Sequence, residues 1–309
     1  MEAPTEGDQA KPRETDTWVR VPDVFAARIN GACVCGAVRW SYDAPFSAMV
    51  HCHCSICRKH HGTLFATVVA GSLDTFHWRA GTEKIATWQS SARGRRSFCT
   101  VCGSKVPVVD HDARQVFMPA GALDGELGIR PQMHLFTASR AAGHHIHDGL
   151  PQYDAYPPEW NAAELPTAER TVRAGVTSGS CACDRMRFEL DGRPFRMHHC
   201  HCARCRHARG GAHATNVIYK LEALRYTQGE TLLVDFDLPG AEFFGTSFCR
   251  ECGGAMPRRS LKRNAVVVPI GSLDTDPEIH ALGHQFVASK AAWYDITDGV
   301  PQYPEAAPR

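Results

Sequence analysis

The chain has 309 residues, enough for two domains of ordinary size. Hydrophobic residues make up 43% and charged residues 22%, a globular composition and not that of a disordered chain. Lys and Arg number 34 against 33 Asp and Glu, so the formal net charge of +1 offers no electrostatic footprint for nucleic acid or a membrane surface. Apolar stretches such as Ala265 to Ile270 are far too short to span a bilayer. The unusual number is 14 cysteines.

In chain order, residues 1–28 mix charged, small and proline residues with no apolar targeting segment, and read as a flexible tail. With no export signal, the expected compartment is the reducing cytoplasm, where clustered cysteines hold metal more often than they form disulfides. Residues 37–42 alternate as a half-buried strand. A short helical turn is expected after Cys57, then a strand over 63–70. Residues 156–174 hold three prolines among Ala and Glu and read as a linker. Beyond it a helical turn is expected after Cys205, with strands over 214–220, 231–236 and 265–270. No segment shows a long 3.6-residue period, so the fold class is mainly β.

A repeat organises these elements. Gly31-Ala32-Cys33-Val34-Cys35 returns as Gly179-Ser180-Cys181-Ala182-Cys183, and His51-Cys52-His53-Cys54 with Cys57-Arg58 returns as His199-Cys200-His201-Cys202 with Cys205-Arg206, both 148 residues later. Ser97-Phe98-Cys99 with Cys102-Gly103 returns as Ser247-Phe248-Cys249 with Cys252-Gly253, and Asp148-Gly149 as Asp298-Gly299, now 150 later. The chain is therefore divided into tail 1–28, first domain 29–155, linker 156–174 and second domain 175–304.

Each copy holds seven cysteines, an odd number that disulfides cannot exhaust within one domain. Cys99-x-x-Cys102-Gly has the form of a zinc knuckle, and Cys33-x-Cys35 completes a closed four-thiolate site. Cys52, Cys54 and Cys57 remain, three ligands that leave a fourth position open. The second copy divides likewise into Cys181, Cys183, Cys249 and Cys252, closed, and Cys200, Cys202 and Cys205, open. Up to four zinc ions per chain are expected, two structural and two open. Three thiolates make zinc a weak Lewis acid for water but a good partner for a soft fourth ligand, which points to thiol chemistry more than hydrolysis.

The blocks G-x-C-x-C, H-C-H-C-x-x-C-R, S-F-C-x-x-C-G and D-G-x-P-Q-Y resemble the glutathione-dependent formaldehyde-activating family, which includes the centromere protein V-like proteins. The resemblance covers about 30–153 and 178–303. It implies two tandem zinc-binding β-tent domains, each made of several coiled β-sheets. It also implies a carbon–sulfur lyase-type activity that joins glutathione to formaldehyde or another small electrophile. Glutathione sulfur would approach the open zinc, which makes Cys52, Cys54, Cys57, Cys200, Cys202 and Cys205 the catalytic candidates. No nucleic-acid or membrane partner is expected. The alternatives are a zinc-stapled binding module without catalysis, or one active and one supporting copy. The copies also depart from the family pattern differently. The first has Phe65 but Gly143-His144-His145, and the second has His213 but Trp293-Tyr294, with Asp184 in place of Gly36.

Other polar residues have two readings each. His51, His53, His199 and His201 are proton carriers or orient the loop through hydrogen bonds. Arg58 and Arg206 bind a carboxylate or make local contacts. Arg140 and Lys290 hold an anionic substrate or lie at the surface. His144, His145, His147 and Asp148 form a metal site or a solvated loop, and the run Arg93 to Arg96 reads as a solvated face.

Overall fold

The computed structural model describes residues 28–43, 45–92, 94–160 and 176–308. The expected tail up to residue 27, residues 161–174 of the expected linker and Arg93 lie outside the described residues.

The chain is mainly β and forms two similar halves. In the first, Arg28–Ala32, Arg39–Asp43 and Phe76–Ala80 pair in an antiparallel sheet, and Ile85–Gln89, Arg95–Cys99 and Lys105–Val106 form another. Between them, a six-stranded sheet centres on Ala48–Cys52 paired with Ala66–Ser72. Met133–Leu135 joins that sheet parallel to Ala48–Cys52. The second half repeats the plan, with Arg196–Cys200 paired to Ala214–Lys220 and His284–Gln285 added in parallel. The expected strands form at slightly shifted bounds. Thr63 to Phe65 is a buried loop leading into its strand, and Glu230–Leu232 makes a turn before Leu233–Asp237.

The helical turns are longer than expected and begin before Cys57 and Cys205: α1 is Ser55–His61 and α2 is Ala203–Arg209. The reason lies in the cysteines themselves. Cys54 and Cys202 cap the helices, their sulfurs accepting from the backbone N–H of Cys57 and Cys205 at 3.4 and 3.5 Å. Gly62 and Gly210, at φ of 69° and 68°, end them in the left-handed conformation that glycine adopts without strain.

The two halves interlock and are not strung apart on a linker. One continuous apolar core runs through both, from Trp40, Tyr42 and Met49 to Phe188, Tyr219 and Trp293. Helix α1 packs on the turn Ile270–Ser272 of the second half, and α2 on Ala120–Ala122 of the first. The approach is backbone to backbone: a Cβ on Gly271 would lie 2.1 Å from the Arg58 carbonyl oxygen, and one on Gly121 2.0 Å from that of Gly211. Lys59, whose side chain is 2% exposed, reaches across to Asp274 at 2.7 Å and donates to the Ser180 carbonyl at 3.0 Å. His60 and His61 meet the carbonyls of Cys252 and Arg209 at 3.0 and 2.7 Å.

Candidate metal centres

All 14 cysteines are free thiols, and the fold gathers them into two groups of four and two of three. Cys33, Cys35, Cys99 and Cys102 form one group of four, Cys181, Cys183, Cys249 and Cys252 the other, with all sulfurs of a group within 4.8 Å of one another. A tetrahedral ion with metal–sulfur bonds of about 2.3 Å needs sulfurs roughly 3.8 Å apart. Cys33 and Cys35 stand at 3.4 Å, Cys35 and Cys99 at 3.9 Å, so the donor set fits such an ion. Backbone amides support the sulfurs: Val38 donates to Cys33 at 3.2 Å, Met186 to Cys181 at 3.3 Å and Gly254 to Cys252 at 3.4 Å.

The two knuckles also lock together. Gly103 and Gly253 have φ of 69° and 65°, and a Cβ on either would lie 2.4 Å from a ring atom of Phe248 or Phe98, respectively. The two phenylalanine rings meet at 6.1 Å between centroids. Lys105, 2% exposed, donates to the carbonyls of both Gly103 and Gly253 at 2.6 Å, and Thr246 donates to the Cys102 carbonyl at 2.7 Å. Each closed group is thus seated against the knuckle of the other half.

The three-cysteine groups, Cys52, Cys54 and Cys57, and Cys200, Cys202 and Cys205, arise where a central strand ends and a helix begins. The first borders a cavity of about 1100 Å³ and the second one of about 330 Å³. Neither four-cysteine group borders either cavity. In the first group Arg96 donates to Cys57 Sγ at 3.4 Å, so the run Arg93 to Arg96 is not simply a solvated face. Hydrogen bonds from Cys52 and Cys54, together with Arg96, hold the Cys57 thiol well below its ordinary range. In the second group the same effect falls on Cys202, lowered by Cys200 and Cys205. Each trio therefore favours negative charge on one of its sulfurs, while the other two thiols are pushed up.

The flanking histidines lie on the opposite face of the same strands. His51 Nδ1 meets Thr67 Oγ1 at 2.9 Å, and His199 Nδ1 meets Thr215 Oγ1 at 2.8 Å. His53 Nε2 lies 2.8 Å from His134 Nδ1, and His134 Nε2 lies 2.9 Å from Asp148. A carboxylate can only accept, so with neutral rings His134 donates through Nε2 and accepts at Nδ1 from His53. His201, His284 and Asp298 repeat the chain, at 2.8 and 3.0 Å. His134 and His284 carry no cysteine-like spacing and lie 81 and 83 residues from their partners, so the sequence reading passed over them. Asp148 thus serves His134, while His145 and His147 stay exposed. His51, His134 and Asp148 also bring ligand atoms within 4.8 Å, but both nitrogens of His134 are engaged.

Arg58 and Arg206 donate to the carbonyls of Ser139 and Ser289 at 3.1 and 3.2 Å, which ties each helix to the segment after the parallel strand. Arg140 and Lys290 bond to carbonyls close by in sequence and border neither of these two cavities. The unlike aromatic positions of the two copies meet between the halves: Phe65 lies 6.4 Å from Tyr294 and 5.9 Å from His213. What looked like a departure in each copy is one shared aromatic and histidine layer.

The profile of the family described as glutathione-dependent formaldehyde-activating enzyme matches this chain twice, over residues 28–139 and 176–289. The chain belongs to that family. All 14 cysteines lie inside the two matched segments, so both members of the tandem retain the full sulfur set. No match was found among the curated proteins. A solved structure of a Rhodobacter sphaeroides protein is 19% identical, over 40% of this chain and 98% of that one, with a TM-score of 0.27.

Proposed function

We propose that the chain is a zinc-dependent, glutathione-linked enzyme of the carbon–sulfur lyase type, joining a thiol to formaldehyde or another small aldehyde. The observation that carries this reading is the placing of the sulfur groups relative to the cavities. Both trios border a cavity, and neither set of four does. A module stapled only for stability has no use for cavities at its incomplete sites.

Cys52, Cys54 and Cys57 would hold one zinc, and Cys200, Cys202 and Cys205 the other. When bound, the metal supplies a position for a soft fourth ligand and lowers the pKa of a thiol held there. The chain's own residues prepare the site. Helices α1 and α2 present backbone N–H groups to Cys54 and Cys202, so the sulfurs stay oriented. Arg96 offsets part of the charge of the first trio.

The test is adduct formation from glutathione and small aldehydes, measured against the uncatalysed addition. The intact chain should exceed that background at least tenfold, and the double variant Cys54→Ser/Cys202→Ser should fall to it while remaining folded. A rate indistinguishable from background for the intact chain, with formaldehyde and with other small aldehydes alike, would refute the reading.

A further inference from the structure

The tandem repeat allows the two cavities to be compared position by position. Val50 and Val68 face one another across the central pair of strands in the first half. Their counterparts in the second half, His198 and Asn216, are paired in the same register. Leu135, beside Cys52, is answered by Gln285 beside Cys200, and Val108 by Arg258. All eight residues line their respective cavities. Four apolar positions on the wall next to one sulfur trio are therefore polar next to the other.

The first cavity gains further apolar surface from outside the repeat. Tyr156 packs on Phe136 with ring centroids 4.7 Å apart, Trp160 follows at 5.8 Å, and both rings line the space. In the second half the Tyr156 position is occupied by Ala306. The smaller second cavity is bordered instead by Phe243 and Phe244, over which Arg263 and Arg204 stack at 4.8 and 5.9 Å.

The polar groups of the second cavity are not all used by the protein. Asn216 is 8% exposed, and its Oδ1 has no hydrogen-bond partner among the described residues; nor has the buried Nδ1 of His198. Arg258 is ion-paired with Asp237, and Arg204 and Arg263 lie over rings. Arg209 also lines the cavity, and no carboxylate among the described residues pairs with it. A buried acceptor without a donor is costly in an empty site, and the Arg209 guanidinium, which faces the Cys205 sulfur, draws a further anion held beside the trio. A ligand carrying a carboxylate and a hydroxyl group satisfies both. Glu242 stands at the exposed rim, where it disfavours larger anions.

We propose that the two open centres have divided their substrates: the second takes small carboxylate-bearing aldehydes, and the first takes aldehydes with an apolar or aromatic body. This rests on the thiol–aldehyde reading above. In either reaction the thiol sulfur forms a bond to the aldehyde carbon, the C=O π bond opens, and the thiol proton ends on the former carbonyl oxygen, with no oxidation or reduction. The product in the second cavity then carries a hydroxyl group, which donates to Asn216 Oδ1, while its carboxylate pairs with Arg209.

The test uses binding and not turnover. Cobalt-substituted Cys202→Ser retains only the first open centre, and cobalt-substituted Cys54→Ser only the second. Each is titrated with mercaptoacetate and with benzyl mercaptan, and the change in the sulfur-to-cobalt absorption is followed. Mercaptoacetate should bind the second centre at least tenfold more tightly than the first, and benzyl mercaptan should show the reverse order. In the Cys54→Ser background Arg209→Met should reduce the mercaptoacetate preference at least fivefold, and His198→Val, which removes a buried ring nitrogen able to donate to a carboxylate, should do the same. Equal affinities at the two centres, or a preference untouched by these substitutions, overturn the division but leave the thiol-binding reading standing. No response to either thiol at either centre overturns both.

Discussion

Replacing Cys252 with serine is expected to unfold both halves of the molecule, not only the half that contains it. A structural zinc site contributes about 10 kcal/mol or more to the folding of a small domain, which is comparable to the entire stability of most domains. Losing one thiolate of four removes most of that contribution. The consequence spreads because the second knuckle is a seat for the first half. Cys252 offers its carbonyl to His60, Gly253 offers its own to Lys105, and Phe98 packs where a Gly253 side chain would stand. With the knuckle disordered, a buried lysine and a buried histidine of the first half lose acceptors, and each unsatisfied group costs about 1–3 kcal/mol. Hydrogen exchange should therefore show protection lost over residues 28–153 as well as 176–303. Loss confined to the second half would mean that the two halves are only neighbours.

Lys59→Met is expected to lower stability by about 3–5 kcal/mol, because it strands a carboxylate beside the buried contact between halves. The pair it breaks, Lys59 with Asp274 at 2.7 Å, is 2% and 15% exposed at its side chains. For a unit of this size the melting midpoint should drop by roughly 5–15 °C. Adding Asp274→Leu should restore part of the loss, because the carboxylate that has lost its ammonium is then gone. A double variant as damaged as the sum of both single changes would show that the pair acts through its packing and not its charge. In the intact protein the pair sets the register of α1 on the turn Ile270–Ser272.

The sulfur groups were legible in the sequence because metal ligands come at short spacings that the repeat writes twice. The mainly β character was legible from short β-branched runs, although Thr63 to Phe65 lies in a loop and not in a strand. That segment is apolar because it is buried between the halves, and burial alone does not distinguish strand from loop. The interlocking of the halves was not legible. Lys59, His60 and His61 read as a polar stretch after a cysteine, and only the packing of α1 on the other half makes them internal. The exchange of Phe65 and Tyr294 between copies was visible as a pair of departures, but its meaning needed the distance between them. Arg96 was misread for a similar reason. Its neighbour Arg95 is exposed, whereas the alternation of the strand turns Arg96 towards Cys57.

The central claim is that each half carries one four-thiolate metal site and one three-thiolate metal site beside a cavity. Metal content per folded chain, measured by elemental analysis on the intact protein and on Cys54→Ser/Cys202→Ser, tests it most directly. The groups of sulfurs predict about four zinc ions in the intact chain and about two in the variant, with the same fold. Two ions in both proteins would contradict the account, because the cysteine trios would then hold no metal.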